Sequence, residues 1–374
     1  MRIFPSTITI NRVDMYALIM AGGEGKRFWP LSSREKPKQF LTLTGGKSLI
    51  RETVDRVLPL VPIERIFIVT VEKYRDETMK HIPELPKDNL VLEPEGKNTA
   101  PCIAYGTLRI EKKAGEAVVV VLPADHAVGD DEGFRDSIKF AAGAAGVRLG
   151  DGRYPIITLG VTPTSPETGY GYIKAGKDVI ESGDNLRALN VIRFSEKPDH
   201  ETALAFLREG GYYWNSGVFV WKTSSIISEF GEILPEWHAR FEELAQWLYS
   251  SSEKGAAAEF YGSIEAGSID KLILEHSSHT AVVPVSFPWS DVGSWKALDE
   301  YLRDGEEANV TRGNVISIGS SGCLAIGGKR PVAIVGLRDV VVVDSEEGIL
   351  VLDKEKSQDV RLVPDVLEKG PRDS

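Results

Sequence analysis

The run from Tyr16 to Leu41, YALIMAGGEGKRFWPLSSREKPKQFL, limits the fold more than any other part of the sequence. Tyr16 to Ala21 are apolar without a break, the pattern of a strand buried on both faces rather than one alternating between core and water. Such strands belong to sheets enclosed between helices. The run stops in Gly22, Gly23 and Gly25, where the missing Cβ lets the backbone approach a ligand and aim its N–H groups at it. Lys26, Arg27, Arg34, Lys36 and Lys38 follow, with the single acid Glu35 among them. A glycine turn trailed by cations suits a polyphosphate. It is not a Walker A loop, which would close in Gly-Lys-Ser/Thr, because this glycine run closes in Gly25-Lys26-Arg27. Nor is it a dinucleotide fingerprint, which would need glycine where Phe28 stands. On these residues alone a strand-end turn with solvated cations stays open.

Downstream, strands and helices alternate. Leu49, Ile50, Val54 and Val57 have helical spacing within 48–61, and further helices are predicted at 74–82, 100–114 and 134–147. Pro101 fits the first turn of the third. Strands are predicted at 65–71, 90–92, 117–122 and 156–161. This alternation predicts an α/β fold, a doubly wound, mixed but mainly parallel sheet. Function should then gather at the carboxyl ends of the strands, where the glycine turn, Glu93 and residues 123–126 fall. From Glu167 the texture changes. GYGYIKAG and ALNVIRFSEKP predict antiparallel additions to the sheet, and helices are expected at 201–209, 224–230, 235–249, 268–275 and 294–301. Beyond Asp304, short apolar runs at 315–318, 323–326, 332–335, 340–343 and 349–352 are separated by glycine. They predict a small all-β unit whose spacing permits a few coils of β-helix. The domain plan is an extension at 1–14 (Met15 being an alternative start), a main domain at 15–304, a C-terminal unit at 310–365 and a charged tail at 366–374.

Composition excludes several classes of function. A net charge of −11 argues against a general nucleic-acid binder, so an anionic ligand must be drawn in by the local basic cluster. Cys102 and Cys323 match no disulfide or metal spacing, and the six histidines show no zinc motif. No secretory leader and no membrane-length apolar run occurs, so a reducing cytoplasm is expected.

Seven motifs bear on chemistry: AGGEGKRFWPLSSREKPKQFL, EPEGKNTAPCIA, LPADH, PETGYGYI, FSEKP, WNSGVF and FPWSDVGSW. Their identity and order across 15–303 resemble the sugar-nucleotide pyrophosphorylases, and more narrowly the mannose-1-phosphate guanylyltransferases. The resemblance implies a nucleotidyltransferase domain of GT-A-like, doubly wound type followed by a short left-handed β-helix. It implies GTP and mannose 1-phosphate as substrates, with a Mg²⁺ or similar divalent cation. Arg27 and Lys38 match the basic residues for the triphosphate and leaving pyrophosphate, Asp125 and Asp291 the metal-binding aspartates, and Lys197 the lysine for the sugar phosphate. Gly22, Gly23 and Gly25 would cradle phosphates, while Glu93, Asn98 and Thr99 would meet base or ribose. Glu167, Gly169, Tyr170, Gly171, Glu196 and Asn215 would line the sugar site, with Asp270 and Glu275 behind them. Lys26, Arg34 and Lys36 are read as solvated surface, His126 as a structural hydrogen-bonder, and Trp214 as core.

Two rival readings remain beside this one: the same reaction with another nucleotide or hexose, and a sugar-nucleotide sensor without turnover. Decay in a sensor would be expected first at Arg27, Lys38, Asp125, Lys197 and Asp291, all of which are present. Longer bacterial relatives carry a fused C-terminal cupin isomerase, for which this chain leaves too few residues, so no isomerase activity is expected. The strands of the C-terminal unit should pack on the main domain or on a second copy, which makes a homodimer one expectation.

Overall fold

The computed structural model describes residues 15–23, 26–183 and 185–369. The expectations placed on residues 1–14, on Gly25 and on the last five residues lie outside the described residues. The main domain contains strands β1 (Met15–Met20), β2 (Ile66–Val71), β3 (Leu90–Glu93), β4 (Val118–Pro123), β5 (Ala127–Val128) and β6 (Ile156–Val161). It continues with β7 (Tyr172–Ser182), β8 (Arg187–Ser195), β9 (Tyr212–Lys222), β10 (Thr280–Val285) and β11 (Trp289–Ser290). All but β5 and β11 form one sheet in the order β3-β2-β1-β4-β9-β6-β10-β8-β7. The first four are mutually parallel, β6 and β10 are parallel, and β9 and β8 run against their neighbours. β5 and β11 pair with each other as a separate antiparallel ribbon.

Helices α1 (Leu49–Val57), α2 (Arg75–His81), α3 (Thr99–Ala114), α4 (Asp131–Ala144), α5 (His200–Glu209), α6 (Thr223–Ile233), α7 (Pro235–Trp247), α8 (Glu253–Ser263) and α9 (Trp295–Leu302) cover the sheet and its edge. The unbroken apolar run of β1 is explained by what it separates. Ala17 and Ile19 enter one core with Ile50, Val54 and Val57 of α1 and Ile138 of α4, whereas Leu18 enters the opposite core with Ile103 of α3, Phe230 of α6 and Phe260 of α8. Each such buried Leu, Ile, Val or Phe side chain contributes roughly 1.5–3 kcal/mol. The sheet is therefore wound on both faces, as the alternation predicts.

In the main domain five elements carry no sequence expectation: the short strands β5 and β11, the central β9, β10 and α8. β10 is obscured by Pro284, a residue that argues against a central strand. The fold accommodates it because β8 pairs with β10 only at Ala281 and Val282, before the proline, while β6 pairs along the full strand. α8 is obscured by Gly255 and Gly262, which weaken helix propensity. The helix expected at 268–275 is a single wide turn, Asp270–Leu274.

The C-terminal unit contains β12 (Val310–Arg312), β13 (Val315–Ile318), β14 (Leu324–Ile326), β15 (Val332–Val335), β16 (Val340–Asp344) and β17 (Ile349–Asp353). β12, β14 and β16 stack in parallel, β13 pairs parallel with β15, and β17 closes antiparallel on β16. Successive coils thus lie in register. The unit does not end on a strand. A 3₁₀ segment, Lys354–Arg361, leads into α10 (Leu362–Lys369), so a boundary after 365 would cut a helix. The unit packs on the main domain through a shared core in which Leu324, Val341, Val343 and Leu350 meet Phe28, Leu41, Val292 and Trp295.

Candidate active site

A cleft of about 1110 Å³ opens over the carboxyl ends of β1 to β4. Gly22 and Gly23 follow β1, Glu93 ends β3, and Asp125 follows β4, so adjacent strands aim their ends at one place. Asn98, Thr99, Gly169, Tyr170, Gly171, Glu196, Lys197, Asn215 and Asp291 line the same cleft. Sequence motifs that lie far apart along the chain are thus brought together. Arg27, Lys38 and Glu167 do not line it: Arg27 and Glu167 are exposed, and Lys38 is buried. Arg27 stands beside Asp291, its guanidinium 3.4 Å from the Gly293 carbonyl. Arg34 and Lys36 are exposed, in line with a surface reading.

At one end of the cleft lies an acidic pair. The β5–β11 ribbon follows Asp125 and precedes Asp291, and its pairing draws the two aspartates together. The buried Lys38 ammonium bonds Asp125 Oδ2 at 2.8 Å and also donates to the Asp291 carbonyl. Burial works to raise the Asp125 pKa, but Lys38 and then His126 outweigh it and hold the carboxyl below its ordinary value. His126 is held low chiefly by burial, against the pull of Asp125, and stands edge-on to Trp289 at 5.4 Å. Its Nδ1 is buried with no partner among the described residues. Tyr170, grouped with the sugar residues by resemblance, donates its hydroxyl to Asp291 Oδ1 at 3.0 Å. Burial and then the Asp291 charge push that phenol far up, so it stays a donor. The Gly293 amide donates to the same oxygen at 2.8 Å, leaving Asp291 Oδ2 unbonded among the described residues. Among the described residues no three His, Cys, Asp or Glu side chains are grouped to hold a metal. A divalent cation here would therefore be held by Asp125, Asp291 and ligand oxygens together, a donor set that fits Mg²⁺.

At the opposite end, Glu93 is 2% exposed. Burial raises its carboxyl to about 7, partly offset by a hydrogen bond from the Tyr261 hydroxyl at 2.8 Å. Asn98 caps α3 by accepting from the Thr99 amide, and the Thr99 hydroxyl accepts from the Ile269 amide at 2.9 Å.

A third group faces the cleft from the later strands. Asn215 Nδ2 donates to Asp270 Oδ1 at 2.7 Å, while Asn215 Oδ1 accepts from Thr158 Oγ1 at 3.1 Å. Burial and then the neighbouring Glu196 raise the Asp270 carboxyl to about 6. Asp270 therefore lies on the cleft wall itself rather than behind it. Glu275 does stand behind, accepting from the Glu196 amide at 3.1 Å. Lys197 reaches outward and pairs with Glu196. A Cβ at Gly171 would come within 2.6 Å of Glu196 Oε2 and 3.2 Å of the Phe194 ring, so those side chains would have to shift. Trp214 is 7% exposed and packs edge-on against Tyr170.

Two non-glycine residues lining the cleft have positive φ, Asn98 at 73° and Lys197 at 47°, as does the buried Val292 after Asp291, at 46°. Such backbone costs of order 1–3 kcal/mol and gathers where a site over-determines geometry. Sequence reasoning misses two participants. Gln39 donates to the carbonyls of Ala21 (2.8 Å) and Gly23 (3.2 Å), fixing the glycine turn, and Tyr261 holds Glu93. Gln39 lies in plain sight within KPKQF; Tyr261 belongs to the unrecognised α8 and gives no signal.

A glycine turn, a buried Lys–Asp pair and a cleft over the strand ends of a doubly wound sheet define a nucleotide-handling transferase. Residues 16–307 match the Nucleotidyl transferase family model, and residues 313–367 match the MannoseP isomerase/GMP-like beta-helix domain. The chain belongs to the nucleotidyl transferase family. Mannose-1-phosphate guanylyltransferases of Klebsiella pneumoniae and Escherichia coli are each 34% identical over 362 residues, spanning 95% of this chain and 74% of theirs. A crystal structure described as a mannose-1-phosphate geranyltransferase from Thermus thermophilus superimposes with a TM-score of 0.84 at 34% identity, covering 95% of this chain and 99% of that one.

Proposed function

We propose that the protein transfers a guanylyl group from GTP to α-D-mannose 1-phosphate, giving GDP-mannose and diphosphate. The observation that carries this reading is the single cleft that joins the Asp125–Lys38–Asp291 cluster to Glu93 on one side and to Asn215, Asp270 and Lys197 on the other. An oxygen of the sugar phosphate attacks the α-phosphorus; that P–O bond forms as the bond to the β,γ-diphosphate breaks, and the diphosphate leaves. The protein's work is positioning and charge neutralisation. Amides of the glycine turn, held by Gln39, face the triphosphate, and Lys38 and Arg27 neutralise the leaving diphosphate. Arg27 is exposed, with its guanidinium 3.4 Å from the Gly293 carbonyl. Lys197 holds the sugar phosphate, and Asn215 with Asp270 bonds the hydroxyls. A divalent cation bound at Asp125 and Asp291 would supply Lewis-acid stabilisation of phosphoryl charge.

Glu93 is the reader of guanine in this scheme. Guanine offers two adjacent donors, N1–H and N2–H, and a carboxylate is the side chain that accepts both at once. Among the described residues no helix is long and apolar enough to cross a membrane. Both cysteines are free and buried, which supports work in a reducing cytoplasm. Ile316, Ile318 and Val335 leave apolar surface on the C-terminal unit, which supports a homodimer through that face. The testing experiment measures diphosphate release over a matrix of GTP, UTP, ATP and dTTP against several hexose 1-phosphates. The highest kcat/KM should fall on GTP with mannose 1-phosphate; a maximum on any other pair refutes the assignment.

A further inference from the structure

The Glu93 carboxylate is gripped from behind. Tyr261, wholly buried on α8, donates its hydroxyl to Glu93 Oε1 at 2.8 Å. The Tyr261 ring is held in turn by edge contacts with Tyr105 at 6.3 Å and Phe260 at 5.5 Å. Its backbone carbonyl accepts from Lys97 Nζ at 2.6 Å, so ring and main chain are both pinned. The other carboxylate oxygen, Oε2, lies against the glycine turn, where a Cβ on Gly22 would come within 3.0 Å of it. Glu93 is thus clamped between α8 and the phosphate-binding turn with its open side to the cleft. Resting on the reading of Glu93 as the guanine acceptor, we propose that Tyr261 is a positioning residue for base selection, its hydroxyl fixing Glu93 as an acceptor turned toward the base.

The chemistry requires such a device. A carboxylic acid presents one donor and loses half its accepting edge, so a protonated Glu93 would oppose a guanine donor instead of receiving it. Burial drives Glu93 toward that neutral form, and the Tyr261 hydroxyl is the group that works against it. The other titratable neighbours give no comparable help. Cys102 on α3 stays a neutral thiol, pushed up by burial and then by Glu93, and Tyr105 faces Glu253 and Arg109 instead. Lys97 spends its ammonium on the carbonyls of Tyr261 and Ile264 and on Glu95. Glu72 and Lys73 enter the cleft from the end of β2, and Asp125 and His126 from the end of β4.

The experiment compares the parent, Tyr261→Phe, Glu93→Gln and the double variant, reading kcat/KM for GTP and UTP from about pH 6 to 9, a range that brackets the raised Glu93 carboxyl. UTP shares the triphosphate and controls for its ionisation. Tyr261→Phe keeps the ring packing and should lower kcat/KM for GTP on the order of tenfold near neutral pH, the scale of a hydrogen bond to a charged group. Its acid limb with GTP should move to higher pH, because Glu93 then needs less acid to become protonated. UTP use should be unchanged. In the Glu93→Gln background the acid limb belonging to the carboxyl should vanish, and adding Tyr261→Phe should do nothing more. If Glu93→Gln shifts the GTP:UTP ratio while Tyr261→Phe leaves both ratio and pH profile at the parental values, Tyr261 is structural only and the inference falls while the guanine reading stands. If Tyr261→Phe lowers GTP and UTP use equally, the inference falls as well. If Glu93→Gln itself keeps the parental ratio, the guanine reading fails and takes the inference with it.

Discussion

Replacing Glu93 by Gln should make the protein more stable at alkaline pH while impairing its proposed choice of base. Burial lifts the Glu93 carboxyl from an ordinary 4.5 to about 7. For an acid raised on folding, the native state binds its proton more tightly than the unfolded chain. Stability from this group is complete below pH 4.5 and is lost as pH rises toward and through 7. The displacement corresponds to about 3 kcal/mol once the carboxyl is ionised in both states. Glutamine has nearly the same volume and keeps an oxygen for the Tyr261 hydroxyl, but does not titrate. Its own burial cost is the same at every pH and cancels when two pH values are compared. Urea unfolding of parent and Glu93→Gln at about pH 5 and about pH 8.5 should therefore show the difference in unfolding free energy moving in favour of the variant by about 2–3 kcal/mol between the two. The same preparation should show a reduced GTP:UTP ratio in kcat/KM. A difference in stability that is flat across pH would mean that Glu93 does not ionise in a buried setting, and the account of the base pocket would fail with it.

Asp291→Asn should leave the circular dichroism spectrum and unfolding midpoint near parental while lowering turnover by about two orders of magnitude or more, the scale of lost metal-ion stabilisation; full turnover would remove Asp291 from the reaction. Arg27→Ala should lower kcat and kcat/KM together, on the order of a hundredfold, since its charge is needed as diphosphate departs. Lys197→Ala should chiefly raise the KM for mannose 1-phosphate, so steady-state kinetics on the pair would show complementary defects, and identical defects would contradict the separate placements. Gly348→Val should reduce kcat with a loss of roughly 1–3 kcal/mol in stability, because a Cβ there would lie 2.9 Å from the Trp29 ring; parental kcat would show that the segment between Arg27 and Lys38 does not depend on the C-terminal unit.

What is legible in the sequence follows from patterns that are local. β1 announces itself because a strand buried on both faces must be apolar at every position, and the glycine turn because backbone that faces a ligand must lack side chains. The seven motifs place most of the cleft for the same reason: each is short and carries its own chemistry. What is not legible is set by contacts between distant segments. Nothing local marks Glu93 as buried beside Tyr261, 168 residues away, and only that contact gives its carboxyl a partner that opposes the burial. The place of Tyr170 in GYGY points it toward the sugar, yet its hydroxyl meets Asp291, 121 residues on. The segment expected as a helix at 268–275 is a single wide turn, and Asp270 at its start lines the cleft. β10 disappears behind Pro284, whose missing N–H matters less than its residue type implies because β8 has already ended its pairing.

The shared core of the two domains bears on how the charged end of the site keeps its shape. Phe28 follows Arg27 directly, Leu41 comes shortly after Lys38, and Val292 follows Asp291; all three are buried together with Leu324, Val341, Val343 and Leu350 of the C-terminal coils. Ser345 donates to the Pro30 carbonyl at 3.0 Å, Trp295 Nε1 donates to the Trp29 carbonyl at 3.2 Å, and Arg312 bonds the carbonyls of Leu43 and Thr44. The segment carrying Arg27 and Lys38 is thus fastened at both ends to the C-terminal unit or to α9. The Lys38–Asp125 pair ties this segment to the end of β4. Apolar packing on the far side of the segment adds to this tie, and Debye screening does not weaken it as it weakens ion pairs. The C-terminal coils therefore bear on the cleft from a distance: they contribute no group to it among the described residues, yet they pack against residues that lie next to or near Arg27, Lys38 and Asp291 in the chain.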